Sequence, residues 1–157
     1  MTKPSKPTRA DDTALRSWLS VVRAYNLCSE LLAQRLGAEG VRTAEHEILV
    51  NLLREPGVSQ QTLAARCFTA KSHLSAQLGE MEARGWLKRE ADPADGRVKR
   101  LVLTAAGVRM AKRTAAVQVE VVALMTDGIE RDGLEQVRVA MAGASTRLQA
   151  ALDRPRN

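Results

Sequence analysis

VSQQTLAARCFTAKSHLSAQLGEMEARGWLKREADPADGRVKRLVL, residues 58–103, is the stretch that decides the fold. It reads as a short helix, a turn, a longer helix and then a two-stranded hairpin with a basic tip. In the longer helix, opened by Thr69 or Ala70, Leu74, Leu78 and Met81 recur at helical spacing, so one face is core. Gly85 stands just past its end, where a left-handed residue is cheapest. The opposite face carries Lys71, Ser72, Ser75 and Gln77, with His73 beside them, and no acidic residue occurs before Glu80. Hydroxyls, amides and Lys are the groups that pair with base edges and phosphate oxygens.

The short helix precedes it. Ser59 is suited to cap that helix, because its hydroxyl can accept an orphan backbone N–H. Leu63, Ala64 and Cys67 face inward. Only Cys67, Phe68 and Thr69 separate the two helical patterns, which is the tight connection of a helix-turn-helix. The hairpin follows, with Trp86 to Glu90 as one strand and Val98 to Leu103 as the other. Asp92-Pro93-Ala94-Asp95-Gly96 supplies turn chemistry between them. From Arg84 to Arg100 six basic residues face three acidic ones. Arg97 lies near the tip, where a guanidinium can enter a narrow minor groove or bind phosphate. Asp95 is placed to orient it.

These residues carry a resemblance. Residues 43–107 resemble the winged-helix core of the MarR family of bacterial transcription regulators. The resemblance rests on Thr43 opening a helix, Leu63-Ala64 in the next, and Met81 to Gly85 in a Leu-x-x-x-Gly pattern with Met for Leu. It continues through Asp92-Pro93-x-Asp95-x-Arg97 in the wing and Leu103-Thr104-x-x-Gly107 after it. Phe68 and Ala76 depart from the family's pattern.

The totals fit this picture. At 157 residues one domain is the prior expectation. Hydrophobic content of 45% with 27% charged residues describes a globular chain, and a net charge of +6 suits an acidic partner. No apolar run approaches a membrane span and no signal peptide is visible, so a cytoplasmic, nucleoid-associated protein without a membrane partner is expected. Residues 1–10 read as a disordered basic arm and residues 153–157 as a tail.

Outside the central stretch the chain reads as helix. Residues 11–36 carry Leu15, Trp18, Leu19, Val22, Tyr25, Leu32 and Leu36 at i, i+3 and i+4, with Leu27 and Leu31 on another face. A helix apolar on two faces needs two neighbours. Thr43 to Arg54 is the second helix, with Thr43 as its cap. Thr104 caps a long helix reaching about Met125 or Gly128. From Asp132 to Leu152, Leu134, Val137, Met141, Ala144, Leu148 and Ala151 hold an a/d pattern. Residues 11–36 and 108–152 are therefore expected to form a helical dimerisation region, pairing with each other and with a second copy. The expected fold is mainly α with a small β-hairpin wing: a winged helix-turn-helix domain over residues 43–107 plus the helical dimerisation domain.

A homodimer would present two recognition helices to a palindromic site on double-stranded DNA. Lys71, Ser72, His73, Ser75 and Gln77 are the major-groove candidates. Arg97 and Lys99 reach the minor groove or backbone, and Thr43, Ser59, Gln60 and Gln61 reach phosphate. The family resemblance implies a small aromatic or phenolic effector in the cleft between head and dimer bundle, usually releasing DNA. Trp18, Tyr25, His46 and Trp86 are the candidate lining. Some members of that family sense peroxide through a cysteine near the first helix, which makes Cys28 a second route, with Cys67 open. Neither His46 nor His73 has metal-ligand spacing around it, and no phosphate loop or catalytic grouping occurs, so no cofactor, metal or catalysis is expected. Alternative readings are a winged helix used for protein contact and a non-specific DNA binder.

Overall fold

The computed structural model describes residues 12–67, 69–96 and 98–154. The chain runs α1 (Asp12–Ala38), α2 (Thr43–Arg54), β1 (Val58–Ser59), α3 (Gln60–Arg66), α4 (Lys71–Ala83), β2 (Leu87–Ala91), β3 (Lys99–Leu103), α5 (Ala105–Thr126) and α6 (Arg131–Leu152). Its contacts divide it into two compact units, one ending at Val121 and one beginning at Val122.

In the first unit a single core gathers Ile48, Leu49 and Leu52 of α2, Leu63 and Ala64 of α3, Leu74, Leu78 and Met81 of α4, and Leu87 and Leu101 of the wing, with Ala111 of α5. The wing is not the simple two-stranded hairpin expected. Val58 pairs with Leu101 and Ser59 with Arg100, so β1 adds an edge to a three-stranded antiparallel sheet in the order β1-β3-β2. Gly57, at φ +84, turns the chain into β1, and its N–H donates to the Leu101 carbonyl at 2.9 Å. Leu101, on the central strand, is fully buried.

Three helix ends differ from the sequence reading. α1 runs through Gly37 to Ala38, and Gly40 in the turn after it takes the positive φ. The cap position of α2 is Arg42, not Thr43, and the Arg42 N–H is satisfied by the Glu45 carboxylate at 2.8 Å. α4 begins at Lys71 after Ala70. Its end is a Schellman turn: Gly85 N–H donates to Glu82 and Trp86 N–H to Met81, with Gly85 at φ +71.

The step from wing to α5 is equally specific. Thr104 Oγ1 accepts from the Gly107 N–H at 3.1 Å and donates to the Gly85 carbonyl at 2.6 Å, while Thr104 N–H donates to the Trp86 carbonyl. A Cβ at Gly107 would land on that same Trp86 carbonyl. The Leu-Thr-x-x-Gly signature is thus a cap followed by the one residue that lets α5 lie against the wing's first turn.

Hydrophobic residues are not all covered. On α1 only Leu36 is buried, and Trp18 and Tyr25 are 59% and 69% exposed. In the second unit α6 has no buried residue, and Val137, Met141 and Leu148 lie open. No described helix is long and apolar enough to cross a membrane.

Replacing Gly107 with Ala is expected to destabilise the first unit by about 3 kcal/mol or more, because backbone, not a yielding side chain, occupies the space. Urea unfolding of the variant beside the parent measures this, with the shift seen in the midpoint.

Candidate nucleic-acid interface

The two helices of the reading head are fixed to each other by backbone and side-chain bonds. Ser59 Oγ accepts from the Thr62 N–H at 3.1 Å and caps α3. Gln60 Nε2 reaches the Lys71 carbonyl at 3.4 Å, tying the start of α3 to the start of α4. With Leu74, Leu78 and Met81 buried, α4 leaves Lys71, Ser72, His73 and Ser75 exposed together. This is the face that the sequence places toward a groove.

Gln77 does not belong to it. It is only 9% exposed, and its amide meets His73 Nε2 at 3.1 Å. Residues 74, 77, 78 and 81 are spaced i, i+3, i+4 and i+7, so Gln77 falls on the buried stripe and acts on the interface only by orienting His73. The Ser59 hydroxyl is also committed, to Thr62 N–H and to Thr62 Oγ1 at 2.9 Å. Exposed Thr62, which the sequence reading passed over, is the free edge of that pair. Gln61 is exposed, and Thr43 and Gln60 are half-buried.

Four carboxylates of α4 and the wing are engaged. Glu80 pairs with Arg42, Glu82 with Arg89 at 2.5 Å, and Glu90 with Lys88 at 2.7 Å. Asp92 accepts from the backbone of Ala94 and Asp95 and from Arg100 Nε at 2.5 Å. Arg100, first among these, holds the Asp92 carboxyl below its usual range. Lys71 and Lys99 are exposed and have no ion-pair partner among the described residues. Arg97, the wing-tip candidate, lies outside the described residues, as do Phe68 and the basic arm.

The four residues proposed to line an effector cleft do not share one environment. Trp18 and Tyr25 stand exposed on α1, whereas Trp86 is buried with the Arg84 guanidinium 3.6 Å over its ring, and His46 is buried in α2. Both ring nitrogens of His46 lack a hydrogen bond of good geometry. Burial pushes its pKa down, and the Gln118 side chain of α5 offsets only part of that. Cys28 and Cys67 are half-buried free thiols, and burial, aided by Glu47, pushes the Cys67 thiol up, away from thiolate reactivity. No cluster of three His, Cys, Asp or Glu that could hold a metal occurs among the described residues.

Comparison with known proteins agrees with this geometry. A family model described as "MarR family" matches residues 39–98. The transcriptional regulator HosA of Escherichia coli O111:H- is 33% identical over 66 residues, 42% of this chain and 49% of HosA, so the chain matches about half the length of that relative. Two solved structures from Streptomyces coelicolor each superpose with a TM-score of 0.81 over 92% of this chain. One is AbsC, a MarR family transcriptional regulator, 26% identical and covered over 99% of its chain. The other is Sco3205, also a MarR family transcriptional regulator, in complex with DNA, 25% identical and covered over 92% of its chain.

The buried imidazole gives a pH prediction. Its folded pKa lies below the ordinary 6.5, so the unfolded chain binds this proton more readily. Stability from the neutral ring is complete above about pH 6.5 and declines as pH falls through that value toward the depressed native one. His46→Leu is expected to show a shallower fall in Tm than the parent between about pH 7 and pH 5, with thermal melts across that range as the measurement.

Proposed function

We propose that this chain works as a dimeric, sequence-specific DNA-binding regulator of the MarR family, with repression as its mode. The observation that carries the reading is the first half of α4: an exposed, carboxylate-free face of Lys71, Ser72, His73 and Ser75, with the acids that follow on the same helix, Glu80 and Glu82, already paired. That surface attracts phosphate and offers hydrogen-bond groups at base-edge reach. In the proposed complex α4 enters the major groove, while Gln60, Gln61, Thr62 and Thr43 face the phosphates. Lys99, with Arg97 assigned on its sequence position alone, follows the neighbouring backbone or minor groove. That the similar Sco3205 has been solved in complex with DNA supports DNA as the partner.

The dimer is proposed from the open apolar surface. Leu15, Trp18, Leu19 and Tyr25 on α1, and Val137, Met141 and Leu148 on α6, are too many exposed large side chains for a free surface. We assign Trp18 and Tyr25 to that subunit contact rather than to an effector. Two-fold pairing presents two α4 helices, which fits a palindromic operator with half-sites about one helical turn apart. Release by a small aromatic effector, and a cytoplasmic place of action, are proposed on family membership.

Selection from a random duplex pool tests the reading. The protein is expected to enrich one inverted-repeat sequence and to prefer it over random duplex by roughly a thousandfold or more. Enrichment of no sequence, with uniform affinity, would make it a non-specific binder and overturn the proposal. Lys71→Ala should weaken binding to all duplexes and lower the salt slope of log K by about 1.

Sedimentation velocity tests the assembly. The parent should run as a dimer, and Leu148→Glu, which puts a charge on the open α6 face, should shift it toward monomer and weaken operator binding.

A further inference from the structure

The most heavily bonded buried carboxylate in the described residues belongs to Glu45, 1% exposed in the first turn of α2. Its Oε2 accepts from the Arg42 backbone N–H at 2.8 Å. Its Oε1 accepts from Arg42 Nη2 at 2.9 Å and from Arg84 Nη1 at 3.3 Å. Arg84 caps the far end of α4, and its other arm, Nη2, donates to the Gly40 carbonyl at 3.0 Å. Its guanidinium lies 3.6 Å over the Trp86 ring. Arg42 also pairs with Glu80 on the last turns of α4. Burial pushes the Glu45 carboxyl up, but the two arginines outweigh it and the net direction is down, so the group stays an anion in this setting.

We propose that Glu45 and Arg84 are positioning residues for DNA reading: they form a tether, buried at its carboxylate end, that fixes the tilt of α4 against α2 and the turn after α1, without themselves touching DNA. This rests on the DNA-reading function proposed above. The argument is one of leverage. α4 has 13 residues, so its ends are about 18 Å apart. The reading face is at one end and the tether at the other. A tilt of about 5° at the tied end would move Lys71 and Ser72 by roughly 1.6 Å, whereas a functional constellation tolerates about 0.5 Å. Base-edge contacts are lost at that displacement. Phosphate contacts through long, flexible side chains are retained. The tether therefore governs discrimination between sequences more than attraction to DNA.

The chemistry suits this role. A fully desolvated carboxylate is a poor source of net stability but a demanding geometric restraint, since it must keep its partners or be left charged and alone. Arg84 meets three different requirements with one planar group: a carboxylate, a carbonyl and an aromatic face. A lysine at this position has neither the fork nor the plane.

The test uses the full-length protein and the duplex it selects from the random pool, beside a random duplex of equal length. Glu45→Gln and Arg84→Met are checked for folding by circular dichroism and for active fraction by titration at high DNA concentration. Each variant is expected to lose about tenfold in the ratio of selected to random affinity, and the double variant no more than either alone, because both cut the same tether. The salt slope of Arg84→Met on random duplex should match the parent. A slope lower by about 1 would make Arg84 a phosphate contact and overturn the proposal. So would an unchanged ratio, or equal weakening on both duplexes. If either substitution prevents folding, Arg84→Lys, which keeps the charge, decides: a reduced ratio supports the tether and an unchanged one overturns it. A parent that selects no duplex sinks the functional reading and this inference with it. A parent that selects one, with variants that keep its preference, sinks the tether alone.

Discussion

The head of this protein turns on the backbone of Trp86. Its N–H closes the Schellman turn onto Met81, and its carbonyl accepts from Thr104. Gly107 packs against that carbonyl, and the ring lies beneath Arg84. Four segments therefore meet at one residue: the end of α4, the first strand of the wing, the cap of α5 and the arginine that reaches back to α2. A residue whose backbone is so used cannot be displaced without breaking several bonds at once, and each orphaned group would carry its own desolvation penalty. The wing and the reading helix consequently share one frame, as they must if both are to meet neighbouring grooves.

Charge is managed around that frame rather than simply accumulated. The chain is basic overall, but most of the head's arginines are spent on carboxylates: Arg42 on Glu45 and Glu80, Arg89 on Glu82, Arg100 on Asp92. What these pairs contribute to stability is small where they are exposed. Their effect on the surface is larger, because they remove negative charge from the flank of α4 and from the wing turn. The face at Lys71 to Ser75 is left attractive to a polyanion by neutralisation of its surroundings, more than by any cluster of cations on it.

Much of this was legible in the chain because it rests on local chemistry. The Ser59 cap, the stop at Gly85 and the Thr104 cap follow from residue types that satisfy orphan backbone groups wherever they occur. β1 was not legible, since two residues have no period and become a strand only by meeting Leu101. Two polar residues were misjudged although a signal existed. Gln77 lies at i+3 from Leu74, and Glu45 lies at i−3 and i−4 from Ile48 and Leu49, so both fall on buried stripes. Reading chemistry before periodicity sent Gln77 to the DNA and passed over Glu45. A polar residue in phase with a core stripe is the place to look for a buried bond.

The parts of the chain differ in what they need from outside. The segment from α2 through the wing has a closed core, whereas α1 leaves Leu15, Trp18, Leu19 and Tyr25 open. α6 is likewise open, with an apolar a/d row and no buried residue. An amphipathic helix draws most of its stability from packing on its apolar face rather than from intrinsic propensity. In the proposed dimer that face is covered by the second copy, so the order of α6 and the association of the subunits are one equilibrium, dependent on concentration. Anything that alters the subunit contact then changes the spacing of the two heads. In the proposed complex the head, held through Trp86 and Glu45, does the reading, and the open helices carry the subunit contact.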